Sequence, residues 1–515
     1  MNKQANRDWK QSVQSFFHPR VVTMLFFGFS AGIPILLIFS SLSLWLREAG
    51  VERATVTFFS WAALGYSFKF VWAPLVDRMP IPYLTNLFGR RRSWILTAQA
   101  GVICAILWMA STDPASGGHH LTIMAVAAVM LGFSSATQDI VIDAYRIESA
   151  GTDLQGLMAS AYIAGYRTAM LVAGAGALFL AELFGSSKGN YNFAAWQSSY
   201  YIMAAFMLVG VVTAILIPEP ETKSGELKKY PPKDYLGFLL LFLLAAGGFI
   251  TTFYFSAGMA ASLKETLGVW LGNRFLSGFL IELVRLGAGI GVAALIAKLV
   301  MLTGFVNRKM VVDSYIGPVA DFFKRYGVFV AWLLLALIGL YRISDIVLGV
   351  ISNVFYQDLG FTKTQIASVV KTFGLFMTIA GGFLGGILSI RYGVMKILFA
   401  GAILSSLTNL LFMAMVGSGN NIIMLYLVIS ADNLSAGLAS AAFVAFLSSL
   451  TSVRFTAIQY AIFSSLMTLI PKGFGGYSGA IVDNLGYSTF FLITALIGLP
   501  VLVLIWLCQK YLDRL

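Results

Sequence analysis

The stretch LTIMAVAAVMLGFSSATQDIVIDAYRIE, residues 121–148, decides the fold. Its first part, Leu121 to Phe133, is an apolar run. The remainder carries Asp139, Asp143 and Arg146 at the end of the same helical segment. A helix of about 20 apolar residues crosses a bilayer. A charge near the bilayer centre costs about 2.5–3.5 kcal/mol or more, so it must face protein or water. The stretch therefore reads as a membrane helix whose charged end has work to do inside a bundle.

The rest of the chain repeats the pattern. It has 515 residues, 58% hydrophobic and 11% charged, with a mean hydropathy of +0.82. A soluble protein carries about 25% charged residues. Spanning helices are expected at 21–46, 54–76, 93–111, 121–146, 155–184 and 197–217. After the polar linker PEPETKSGELKKYPPKDY come 236–257 and 278–302. A second set follows at 328–356, 364–390, 394–416, 421–450, 455–482 and 487–510. The fold class is thus all-α and polytopic: two six-helix bundles with two extra helices between them, about fourteen spans in all. The expected domains are 1–217, 218–327 for the linker and inserted helices, and 328–515.

The net charge of +12 marks cytoplasmic loops rather than nucleic-acid binding. GRRRSW, Gly89 to Trp94, is the strongest orienting cluster. It places both termini in the cytoplasm. The first apolar run lacks a small-residue cleavage site and is expected to stay as a helix. Cys104 and Cys508 lie in apolar runs and give no disulfide framework. His18, His119 and His120 are scattered and form no metal set. No P-loop and no Ser-His-Asp set is visible. Neither an enzyme nor an ATP-driven pump is therefore expected, and no cofactor is called for.

Within the spans the ionisable residues are Lys69, Asp139, Asp143, Arg167, Glu182, Glu282, Arg285, Arg342, Asp345, Lys371, Asp432 and Lys472. Asp139 and Asp143 are four apart and share one helix face. Two such carboxylates in low dielectric resist both being charged, which suits proton loading and release. A static pair with Lys69, Arg146 or Arg167 is the competing reading. Lys69 and Arg167 fall near mid-depth, where either suits an anionic substrate. Tyr66, Trp72, Tyr145, Tyr162 and Tyr166 lie nearby in sequence, for stacking or for packing. Arg342 with Asp345, and Glu282 with Arg285, are spaced to pair with each other. Lys371 and Asp432 are each isolated on their own helix. Glycines four apart, such as Gly28 with Gly32 and Gly381 with Gly385, predict close helix packing. The run Pro471-Lys472-Gly473 predicts a kink.

APLVDRMPIPYLTNLFGRRRSW contains Asp77 and Arg78, then Arg90 and Arg91. It resembles the signature loop of the major facilitator superfamily, though with a longer spacer. The corresponding GGFLGGILSIRYGVMK keeps Arg391 and Gly393 without an Asp. With Arg146, these loop charges are expected to brace the cytoplasmic gate. In that fold the substrate sits near mid-membrane between the two halves.

A more specific resemblance follows. SATQDIVIDAYRIE with Gln138, Asp139 and Asp143, and YSFKFVWAPLVDR with Lys69, resemble stretches of the AmpG muropeptide permease family. So do GYR at 165–167, FGRRRSW, YRISD, KTFGLFMTIAGG, NLSAGLASAAFVAFLSSL and TAIQYAIFSSL. Asp432 stands where that family is expected to have Glu. The resemblance implies a bacterial inner-membrane permease of peptidoglycan recycling, linked to β-lactamase induction. The implied cargo is N-acetylglucosaminyl-1,6-anhydro-N-acetylmuramyl peptide, imported from the periplasm on the proton gradient by a monomer. Asp139 and Asp143 would couple protons. Lys69, Arg167, Gln138, Tyr66, Tyr145, Tyr166, Lys371 and Asp432 would line the substrate site. The alternatives are a carrier of another anion such as acetyl-coenzyme A, a non-transporting membrane receptor, or a membrane enzyme.

Overall fold

The computed structural model describes residues 15–512, apart from 53–54, 57–58, 60–65, 67, 152–153, 188, 221–229, 273, 363–364 and 476–477. Among the described residues the secondary structure is helical. The first half holds α1 (Pro19–Ile38), α2 (Ser40–Glu48), α3 (Ala73–Arg78), α4 (Leu84–Phe88), α5 (Arg90–Ala110) and α6 (Gly118–Ser149). It continues with α7 (Gln155–Leu171), α8 (Ala177–Leu183), α9 (Phe193–Phe206) and α10 (Leu208–Leu216). Then come α11 (Pro232–Phe255), α12 (Ala257–Leu271), α13 (Arg274–Leu302) and α14 (Arg308–Tyr315). The second half holds α15 (Gly317–Leu340), α16 (Ile343–Asp358), α17 (Gly374–Tyr392), α18 (Val394–Val416), α19 (Ile422–Leu450), α20 (Thr456–Gly475), α21 (Ser478–Ile497) and α22 (Leu499–Leu512).

Thirteen helices among the described residues are long and apolar enough to cross a membrane. The span expected at 54–76 lies largely outside the described residues, which there show a 3-10 turn at Lys69–Val71 and then α3. The outer faces are apolar: α6 exposes Val126, Val129 and Phe133 while burying Ala127, Ala128 and Leu131. Such a helix is solvated by lipid on one side and by protein on the other.

Two glycines set helix starts in the second half. Gly327 (φ 73°) and Gly486 (φ 76°) break the backbone within α15 and α21. Such positive φ values suit glycine, which has no Cβ to clash. Val328 and Tyr487 follow these breaks, where the sequence places the start of a span. By contrast, α20 runs through Pro471 as far as Gly475, so the proline does not end it. The side chain of Lys472 falls outside what the structure describes.

The helices form two compact units: Met1–Lys223 with Phe322–Leu515, and Ser224–Asp321. In the larger unit, small residues allow backbone contact. A methyl group at Gly28 would overlap the Tyr162 carbonyl, and one at Gly165 the Leu25 carbonyl, so α1 and α7 touch. Gly381 and Gly385 bring α17 equally close to Leu434 and Leu438 of α19. In the smaller unit α11 and α12 pack on α13. There Arg285 Nη1 donates to Glu282 Oε1 at 2.8 Å, and Lys264 Nζ approaches the same oxygen at 2.5 Å. The paired reading of Glu282 and Arg285 holds, with Lys264 as a third member.

Candidate functional site

The bonds joining the two halves of the larger unit gather at the end that carries Arg90 and Arg91. Asp77, at the close of α3, accepts from the N–H groups of Ala457 (3.2 Å) and Ile458 (3.0 Å). A carboxylate there satisfies orphan donors at the start of α20 and opposes its dipole. Arg91, 1% exposed, donates from Nη2 to Asp77 Oδ1 (2.8 Å), Glu148 Oε1 (2.5 Å) and Thr456 Oγ1 (2.7 Å). The Thr456 hydroxyl donates in turn to Glu148. Arg90 reaches Glu148 (3.2 Å) and the Asp77 carbonyl (2.9 Å). Two arginines thus meet two carboxylates in a buried knot, and such burial is tolerated because every charge has an opposite.

Two residues before Glu148 on α6, Arg146 Nη1 donates to Gln155 Oε1 and, across the halves, to Ser448 Oγ, both at 2.8 Å. Its guanidinium lies 5.1 Å from the Tyr460 ring centre. Ser160 Oγ donates to the Gly382 carbonyl at 2.5 Å, tying α7 to α17. Arg78 stacks over Phe455, and Arg391 over its neighbour Tyr392. At the opposite end the polar contacts among the described residues run within each half. Trp196 donates to Glu48 (2.8 Å), Tyr191 to Asp113 (2.7 Å), and Asn420 to the Gly360 carbonyl (2.9 Å).

Further along α6 lie Asp139 and Asp143. Asp143 accepts from Arg146 Nη2 at 3.2 Å and stands 3.9 Å from Lys69 Nζ. Asp139 accepts from the Tyr162 hydroxyl at 3.1 Å and feels the charges of Lys69 and Asp143. Tyr66 donates to Ser135 Oγ at 2.6 Å. The rings of Tyr162 and Tyr166 lie 6.0 Å apart. Tyrosines from α7 and the residues before α3 therefore flank the carboxylate pair. Arg167, by contrast, makes no ion pair with either carboxylate.

Arg167 is exposed instead and lies within electrostatic range of Arg342 in the other half. Lys371, also exposed, lies within range of Arg167. Lys371 sits on a π-helical stretch, Ile366–Phe373, leading into α17, and Val172–Gly176 after α7 is also π-helical. Such turns are rare and concentrate at functional sites. Three cations from both halves thus gather around Arg167; Arg342 is paired with Asp345, but among the described residues Arg167 and Lys371 have no carboxylate partner, which leaves the space beside them attractive to an anion. Beside them Arg342 donates to Ser440 Oγ (2.8 Å), and its Nε lies 3.2 Å from Asp345 Oδ2. Asp345 also accepts from Ser405, and Asp432 from Thr408 Oγ1 at 3.4 Å.

Two expected substrate residues stand elsewhere. Gln138 is fully buried and donates to Ser30 Oγ at 3.3 Å inside the first half. Tyr145 packs edge-on to Phe27, and its hydroxyl donates to the Pro218 carbonyl at 3.2 Å. Residues the spacing arguments passed over include Glu148, Thr456, Tyr162 as a carboxylate partner, Tyr460 and Arg342 as part of the cationic face. Their partners lie far away in sequence, so no local pattern marks them.

The family model described as Major Facilitator Superfamily matches residues 21–344 and 333–512. A relative named putative transporter AmpG 4, from Rickettsia conorii, is 29% identical over 492 residues, covering 95% of this chain and 97% of its own. The anhydromuropeptide permease of Escherichia coli K12 is 28% identical over 504 residues, covering 98% of this chain and 82% of its own. Among solved structures, the proton:xylose symporter XylE superposes with a TM-score of 0.58 at 13% identity, covering 96% of both chains. That last likeness concerns the fold alone.

Proposed function

We propose, for a chain that belongs to the major facilitator superfamily and is a transporter rather than an enzyme, that it imports N-acetylglucosaminyl-1,6-anhydro-N-acetylmuramyl peptides on the proton gradient. The observation that carries the substrate class is the convergence of Arg167, Arg342 and Lys371 from both halves. A peptide-bearing muramyl sugar presents several carboxylates. An arginine fork grips a carboxylate with two bonds. Tyr66 and Tyr166 offer aromatic faces for the sugar rings. Relatives named anhydromuropeptide permease and AmpG over nearly the whole chain support the same reading.

For the driving force, the two carboxylates of α6 divide their roles. Asp143 is held by Arg146 and Lys69, whereas among the described residues Asp139 has only a neutral hydroxyl as its hydrogen-bond partner. Asp139 is then the carboxylate that loads and releases the proton, and Asp143 latches α6 to the gate through Arg146. The Lys/Arg-rich end is cytoplasmic, so closure by Asp77, Arg91 and Glu148 leaves the cavity facing the periplasm. Both termini lie in the cytoplasm, the protein works as a monomer in the bacterial inner membrane, and no cofactor takes part.

The test is uptake of labelled anhydromuropeptide into proteoliposomes under an inward proton gradient. Concentrative uptake by the intact protein, lost in Asp139→Asn, is expected. Transport of an acyl-coenzyme A instead would replace the substrate, and uptake indifferent to the gradient would remove proton coupling.

A further inference from the structure

The second half holds a carboxylate that the scheme above leaves unused. Asp432 projects from α19 in the interior of the bundle. Among the described residues its one hydrogen bond is the 3.4 Å contact from Thr408 Oγ1, and no Lys or Arg stands within ion-pairing distance. An ionised carboxylate held in a membrane bundle normally secures a cation or several donors. This one has neither, so its neutral acid form fits the geometry.

The cation whose charge reaches Asp432 is Arg342, and its own arrangement is incomplete. Its Nε lies 3.2 Å from Asp345 Oδ2, yet that N–H is buried and has no acceptor in line. Its Nη1 holds Ser440 Oγ on α19. Ser440 and Asp432 are eight residues apart, about two turns along one face of that helix. Arg342 also stands at the break between α15 and α16, where Tyr341 and Arg342 leave the helical ladder. A side chain at a helix break can shift without dragging a rigid rod with it.

The other groups around Asp432 are Asp345 and Tyr356 from α16. The π-helical stretch that packs on α19 carries Lys371, and α7, which also packs there, carries Arg167. Lys371 and Arg167 belong to the cationic face already assigned to the substrate. Arg342 shares that face, but of the three it is the one that is paired with Asp345 and whose charge reaches Asp432, so it is the cation for which the two carboxylates compete.

We propose that Asp432 is a proton-binding site of the transport cycle and that its charge decides where Arg342 sits. With Asp432 protonated, Arg342 pairs with Asp345, as in this structure. When the proton leaves Asp432 for water on the cytoplasmic side, the carboxylate draws Arg342 along α19. The break between α15 and α16 then moves with it. This deepens the proton-coupled reading and rests on it.

The full-length protein in proteoliposomes provides the test, with intact protein as the reference for gradient-driven anhydromuropeptide uptake. If the intact protein shows no such uptake, the function reading fails, whatever Asp432 does. If it does, Asp432→Asn is expected to lose at least about tenfold of the concentrative uptake. Its equilibrium exchange of labelled for unlabelled substrate, which needs no net proton movement, should stay within about twofold. Asp432→Glu is expected to restore concentrative uptake with a displaced pH profile. Normal concentrative uptake by Asp432→Asn overturns the proposal. Loss of exchange together with uptake does so too, because it makes the residue a substrate or packing contact. Should the Asn variant not fold, an unchanged pH profile in Asp432→Glu overturns it alone.

Discussion

Glu148 shows how much one side chain can decide. It is 1% exposed and shares Arg90, Arg91 and Thr456, so it bridges α5, α6 and the start of α20. Breaking a buried pair by removing one charge costs about 3–5 kcal/mol, because the remaining ion keeps its desolvation penalty. Glu148→Gln would leave Arg91, 1% exposed, with Asp77 as its one carboxylate partner among the described residues. We expect the variant to destabilise the closed arrangement of this end by about that amount. The measurement is a lower melting temperature in detergent together with faster labelling of a cysteine placed at Ser448. An unchanged melting temperature and labelling rate would make the knot ornamental. Local spacing could not have found this residue. Glu148 reads as a helix-end charge facing water, and its partners lie 57 residues before it and 308 after it.

At the scale of helices, the packed seam between α7 and α17 offers a direct handle. Gly156 of α7 lies against Gly386 of α17, and Ser160 against Gly382. A Cβ at Gly382 would stand 3.9 Å from Ser160 Cβ, inside the about 3.5–4.5 Å range for a disulfide. In a background lacking Cys104 and Cys508, Ser160→Cys with Gly382→Cys is expected to cross-link under mild oxidation. It should arrest uptake and recover with reductant. Formation of the cross-link with transport undiminished would mean that this seam does not open during the cycle. Glu148→Gln should slow the cross-linking, since both contacts depend on the same closed end. The glycine pairs that predict close packing were legible because packing needs only spacing within one helix. Which helix each pair touches was not, since Gly28 meets α7 and Gly381 meets α19 through contacts no spacing encodes.

At the scale of the molecule, the spans were legible because apolar length is a local quantity, and Gly327 and Gly486 mark starts where the pattern puts them. The charged interior was legible only in part. A static pair with Lys69 or Arg146 was the competing reading for the two carboxylates, and it describes Asp143 but not Asp139. Arg342, however, was read as a partner for Asp345 alone, because its proximity to Arg167 arises only when the halves come together. That assembly carries a prediction of its own. If one substrate is gripped by Arg167 from the first half and Lys371 from the second, the two contacts depend on each other through the bound molecule. Arg167→Gln and Lys371→Gln should each weaken anhydromuropeptide binding, by about 1.5–3 kcal/mol for a hydrogen bond to a charged group. The double variant should depart from the sum of the two by at least about 0.5 kcal/mol. Calorimetric titration of the four proteins measures the cycle, repeated with a substrate whose peptide carboxylates are esterified. With the ester, the effect of both substitutions should largely vanish, because the anion they hold is gone. Additive losses that persist on the ester would instead place both cations in the architecture of the cavity, leaving the carboxylates to be recognised elsewhere.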